Sequence, residues 1–287
     1  MARILDTTPA FEAYARTAFL DPPALRDSQW GERYEGAHPE VFAAFYADHP
    51  DKSGRAALVR ELSRVRQLAR ESAPVVAGII ESVEPAVAAA MGLTLPPEPQ
   101  HVLMIGPHTT NAVVGRLDGE VALFHCLEWF FSEEGARILV AHEDTHALHE
   151  LALGRRFAED DPAWMAFAEG LAVAVSRQAA PDRPDNDYFW YGYGGFEEWL
   201  PWCQEHRADL LARFAADLDD PAAAETWFGG GLVDGRWRVG QFVADELVTT
   251  LGRPLPELVA MSVADAQAAI RQTAGEHAKV LSDPKAE

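Results

Sequence analysis

Two histidines and a glutamate stand together in Ala141-His142-Glu143-Asp144-Thr145-His146, an H-E-x-x-H arrangement. On a helix, residues four apart project from one face about a turn apart, so the imidazoles of His142 and His146 can share one tetrahedral cation. Glu143 then points beside the open coordination position, as a general base must. The chemistry expected of such a site is hydrolysis. A zinc ion acidifies a water, Glu143 takes its proton, a carbonyl is attacked, and the proton passes to the leaving amine. The plain alternative is a pair of ordinary surface histidines.

A catalytic zinc site needs a third protein ligand, and a later apolar stretch offers one. From Ala163 to Val175 the only charged side chain is Glu169. Burying an ionised carboxylate in such a helix costs several kcal/mol unless a cation or hydrogen bonds compensate. Gly170, beside it, permits close helix approach. His149 shares a helical face with His142, but seven residues span about 10 Å of straight helix, too far for three imidazoles to reach one ion. Glu150, Glu159 and Asp160 are weaker rivals, placed where charge needs no special explanation.

The elements that must position these groups are legible around them. Ser132 is a candidate N-cap for the H-E-x-x-H helix, Glu133 and Glu134 suit its first turn, and Gly154 its C-terminal stop. Asp161-Pro162 reads as a cap followed by a first-turn proline, opening a second helix to about Ala180. Upstream, His101 to Gly106, Asn111 to Leu117 and Glu120 to His125 read as strands, with Asp118-Gly119 turning a hairpin. Pro9 to Gly92 is helical in pattern, and Pro96, Pro97 and Pro99 mark a change of architecture. Further helices fit Phe196 to Ala216, Arg238 to Leu251 and Val263 to Ala274. The expected class is α+β and predominantly helical: an N-terminal helical region over 1–95, then a zincin-like metallohydrolase region over 100–280 with its small sheet packed on the H-E-x-x-H helix. The two regions could also form one continuous domain.

Through His142-Glu143-Asp144-Thr145-His146, Glu169-Gly170-Leu171-Ala172 and the segment from Gly240 to Leu258, the chain resembles the gluzincin zinc metallopeptidases, and within them most closely the zinc-dependent peptidases of the DUF2268 type. The resemblance covers Gln100 to Met261. It implies zinc held by His142, His146 and Glu169, Glu143 as general base, and Asn111-Ala112-Val113 as an edge strand along which an extended substrate lies. Val173 stands where some gluzincins keep a carboxylate, four residues after the ligand glutamate.

The developing oxyanion needs a further donor. Tyr191 and Tyr193 are candidates, in an aromatic segment from Tyr188 to Trp202 whose middle carries Gly192, Gly194 and Gly195. That segment reads as a plug over the helices or, alternatively, as a substrate-facing wall. His206, Arg236 and Arg238 are other donors. Gly229-Gly230-Gly231 lacks the lysine and spacing of a phosphate loop and reads as a flexible connection.

Composition narrows the partners. Lys plus Arg number 24 against 45 Asp plus Glu, a formal net charge of -21, and such a field repels phosphate backbones and anionic lipid. No nucleic-acid or membrane role is therefore expected, and the apolar runs Ala73 to Ile80 and Pro85 to Leu93 fall short of the roughly 20 residues of a membrane helix. Met1 to Leu20 lacks the pattern of a secretory signal, which makes cytoplasmic the default. Cys126 and Cys203 read as buried free thiols. The expected activity is zinc-dependent cleavage of an amide, in a peptide or a small amide substrate. The alternatives are a metallohydrolase acting on a non-peptide small molecule, and a non-catalytic helical binding module with a structural or vestigial metal site. Oligomeric state is not written in the sequence.

Overall fold

The computed structural model describes residues 2–94, 98–156 and 160–282, with side chains to 277; Pro96, Pro97 and Glu159 lie outside the described residues. The chain is α+β and mostly helical. It divides into two compact units, one of residues 1–85 and 96–151, the other of 86–95 and 152–287.

The first unit holds β1 (Arg3–Asp6), α1 (Thr8–Ala18), α2 (Pro23–Gln29), α3 (Pro39–Asp48), α4 (Arg55–Arg60), most of α5 (Leu62–Ala90), β2 (Gln100–Met104), β3 (Ala112–Leu117), β4 (Glu120–Cys126) and α6 (Glu133–Leu153). A single π-helical turn over Trp30–Tyr34 follows α2. The sheet is mixed, in the order β1-β2-β4-β3. Pairing is parallel for β1 with β2 and for β2 with β4, and antiparallel for β3 with β4. Every residue from His101 to Met104 and from Val121 to Cys126 is buried, as strands covered on both faces require. Asp118 and Gly119 both take positive φ, 53° and 83°, the geometry a two-residue hairpin needs.

The three strands expected from sequence are present, and a fourth, β1, lies in a four-residue run too short for alternation to reveal. Val121, Leu123 and Ala147 form a buried cluster with Val114 and Leu151 against it, so β3 and β4 pack directly on α6. Arg116 of β3 grips Glu150 of α6 at 2.9 and 3.1 Å and fixes the same contact from the polar side.

Among the described residues α5 is the one helix long and apolar enough to cross a membrane, by length and composition only. Half of its most apolar window is buried, and its Glu84 and Ser82 are hydrogen-bonded to His101 and Arg137 of the same unit.

The second unit is helical: α7 (Pro162–Ala179), α8 (Asp187–Trp190), α9 (Trp199–Glu205), α10 (Arg207–Asp217), α11 (Ala222–Trp227), α12 (Val239–Leu251), α13 (Leu255–Val259) and α14 (Val263–Ser282). Asp161 caps α7, accepting from the Trp164 N–H at 2.8 Å, and its other oxygen receives Arg271 of α14 at 2.9 Å. The stretch expected as one helix from Phe196 to Ala216 is two, broken at His206. The glycine run after α11 is a tight turn rather than a flexible connection, since a Cβ on Gly231 would lie 2.5 Å from the Thr226 carbonyl oxygen. Both cysteines are free and buried, as expected.

In this unit α7 packs closely on α12. A Cβ on Gly170 would sit 2.3 Å from the Ala244 carbonyl oxygen and 2.6 Å from Val248 Cγ2, contacts that only glycine avoids. Overpacking of this kind costs about 2 kcal/mol. Gly170→Ala is accordingly expected to lower the melting temperature by about 5 °C. An unchanged melting curve would show that the two helices are not in this contact.

Candidate metal and proton-transfer groups

Helix α6 begins where Ser132 Oγ accepts the Gly135 N–H at 3.0 Å, with two glutamates in its first turn, and it ends before Gly154 at φ 64°. From Gly135 to Glu150 nearly every residue is buried, including His142 at 2% exposure, Glu143 at 9% and Asp144 at 0%. A helix buried on all faces has no solvent to satisfy its charges, so each must find a partner inside the protein.

His142 and His146 converge as their spacing predicts. Their Nε2 atoms are 3.2 Å apart, with ring planes at 80° and centroids 4.8 Å apart. Two nitrogens each about 2.05 Å from one tetrahedral ion would lie about 3.3 Å apart. The pair therefore matches two corners of a tetrahedral site. His149 is buried one turn further along and is not part of this pair.

Behind α6 lies a network that sequence reasoning missed. Glu84 Oε2 is 2.8 Å from His101 Nε2, and His101 Nδ1 is 3.1 Å from His125 Nε2. Asp144 Oδ1 stands 3.9 Å from His101 Nδ1, and neither Asp144 oxygen has a hydrogen-bond partner among the described residues. Burial pushes the Asp144 carboxyl up to about 7, against the pull of His101. Burial, helped by His101, holds His125 well below its ordinary value. The available signal was the one that exposed Glu169: Glu84 is a charge inside an apolar helix, and His101 and His125 stand in apolar strands.

In the second unit Glu169 sits midway along α7, half-buried, and receives Gln241 Nε2 of α12 at a long 3.5 Å. Tyr191 and Tyr193 lie close together, ring centroids 6.0 Å apart. Arg238, the N-cap of α12, donates through Nη2 to Tyr191 Oη at 2.8 Å, its guanidinium 4.8 Å from the Tyr191 ring centroid. Burial works against the Arg238 charge, but Tyr191 and Glu169 outweigh it and hold the group more firmly protonated than usual. The other candidate donors are elsewhere: His206 stacks on Trp202 at 4.4 Å and Arg236 lies 4.0 Å over the same ring. Of the aromatic residues in this segment Tyr188, Phe189, Trp190, Tyr191 and Trp199 are buried, with Trp190 stacked on Phe196 and Trp199 bonded to the Trp237 carbonyl at 2.8 Å. Val173 is fully buried, so no carboxylate supports a histidine from that position.

Comparisons with protein families, with characterised proteins and with solved structures find no match to this chain. The site must be read from its own groups.

Removing one partner of a buried pair costs about 3 kcal/mol or more. His101→Phe, which leaves Glu84 without its partner, is expected to lower the melting temperature by at least about 5 °C. A variant as stable as the parent would remove the network from the stability account.

Proposed function

We propose that this protein is a metal-dependent hydrolase of amide bonds, of gluzincin type, in which His142, His146 and Glu169 hold one zinc ion and Glu143 is the general base. Two imidazoles and a carboxylate are donors of the kind that could hold a metal ion. The observation that carries the reading is the 3.2 Å separation of the two Nε2 atoms on a buried helix. Two neutral imidazoles and a carboxylate are the donor set of a catalytic zinc site that keeps one position open. A bound zinc supplies a Lewis acid that polarises a carbonyl and lowers the pKa of a water.

The remaining work falls to the chain. Glu143, one residue beyond His142 and 9% exposed, takes the water proton and delivers it to the leaving nitrogen. Tyr191, held by Arg238, is the oxyanion donor favoured over Tyr193, because the guanidinium fixes its ring. The sheet packed on α6 supports the zincin-like reading. Among the described residues strand β3 is at the end of the sheet order and pairs with β4 alone, and such an edge suits an extended peptide added as a further strand. That edge favours a peptide over a small amide.

Elemental analysis after zinc incubation and desalting is expected to give about one zinc per chain, lost in His146→Ala and in Glu169→Ala. Finding none in the parent would contradict the reading. Glu143→Gln is expected to keep the metal while losing at least about a hundredfold in turnover of a peptide library. Turnover equal to the parent would remove Glu143 as the base.

A further inference from the structure

Arg238 is the exception among the inward-lying arginines. Arg55 binds Asp27, Arg116 binds Glu150 and Arg177 binds Asp245, each through two guanidinium nitrogens. Arg238 forms no ion pair among the described residues. Its one side-chain hydrogen bond among the described residues is to the Tyr191 hydroxyl, and its Nε is buried with no acceptor there. Glu169 is near enough to act on it through its field, and that carboxylate also accepts a hydrogen bond from Gln241.

The backbone holds this arrangement at a cost. Arg238 has φ 61° and Tyr191 φ 52°, so two residues with side chains occupy the left-handed region and are joined to one another. Such strain persists where the surrounding structure fixes it, and it gathers at ligand-binding positions. Gly240, two residues on, has the Trp227 carbonyl oxygen 2.1 Å from where its Cβ would be, which pins the start of α12 and with it the guanidinium.

A half-buried cation whose Nε–H is buried and idle, with no ion pair among the described residues, is complementary to an anion. The planar fork of a guanidinium suits a carboxylate, which accepts two parallel N–H bonds. We propose that Arg238 is the substrate-recognition residue for a carboxylate group, so that the preferred substrates are peptides carrying a free carboxylate close to the bond that is cut. This names the substrate class of the hydrolase reading and rests on it. It is also consistent with a chain of net charge -21 accepting an anionic substrate: the local cation is half-buried, where its attraction is stronger than in open water.

The test compares N-acetylphenylalanine with its carboxamide, titrated into the zinc-incubated protein and into chelator-treated protein. Binding is read by calorimetry and by the fluorescence of Trp190, whose ring centroid is 5.9 Å from the Arg238 guanidinium. The acid is expected to bind the parent at least about tenfold more tightly than the amide, with or without zinc. Arg238→Gln is expected to abolish that preference while keeping the parent's circular dichroism and metal content. Should Arg238→Gln fail to fold, Arg238→Lys carries the comparison, keeping the charge but not the fork, with the preference expected to fall at least about threefold. Equal affinities for acid and amide in the parent, absence of binding by either, or a preference that survives both substitutions would overturn the assignment. Zinc bound without acid preference would sink the Arg238 assignment alone. Acid preference without zinc binding would sink the hydrolase reading and leave Arg238 in place.

Discussion

Helix α6 has to lie buried on nearly every side while carrying three histidines and several acids, and its environment answers that constraint. On one face the two Nε2 atoms converge to 3.2 Å, a close approach of like donors that a shared cation would reward. On another, Asp144 meets His101, which is itself held by Glu84. At its far end Glu150 is gripped by Arg116 of the sheet. The helix is thus held by polar contacts as well as by the apolar cluster of Val121, Leu123 and Ala147. A helix secured in this way gives His142 and His146 a rigid support.

The second unit solves a different problem with the same materials. Its α7 and α12 lie so close that Gly170 cannot carry a side chain, and that closeness brings Gln241 to Glu169. At the start of α12 a strained backbone presents Arg238 to Tyr191. The chemical groups of this unit are therefore a carboxylate, a guanidinium and two phenols.

Much of this was legible because the signals were local. The caps at Ser132 and Asp161, the stop at Gly154 and the hairpin at Asp118-Gly119 all rest on residues whose conformational demands do not depend on distant parts of the chain. The approach of His142 to His146 follows from helical pitch alone. What escaped were features made by long-range pairing. Strand β1 is defined by its register with β2, Arg3 opposite Gln100, and carries no pattern of its own. The Glu84, His101, His125 and Asp144 network joins a helix, two strands and α6, and only the fold brings those positions together. The break at His206 was hidden because apolar spacing continues across it. Among five candidate oxyanion donors, only the fold pairs Arg238 with Tyr191 and sends His206 and Arg236 to Trp202.

The central claim is that one metal ion sits between two imidazoles and a carboxylate. X-ray absorption at the zinc edge on the zinc-incubated protein tests it most directly. The account predicts a four-coordinate ion with two imidazole shells near about 2.05 Å, one carboxylate oxygen and no sulfur. A spectrum with sulfur at about 2.3 Å, or with six oxygens and no imidazole scattering, would contradict it.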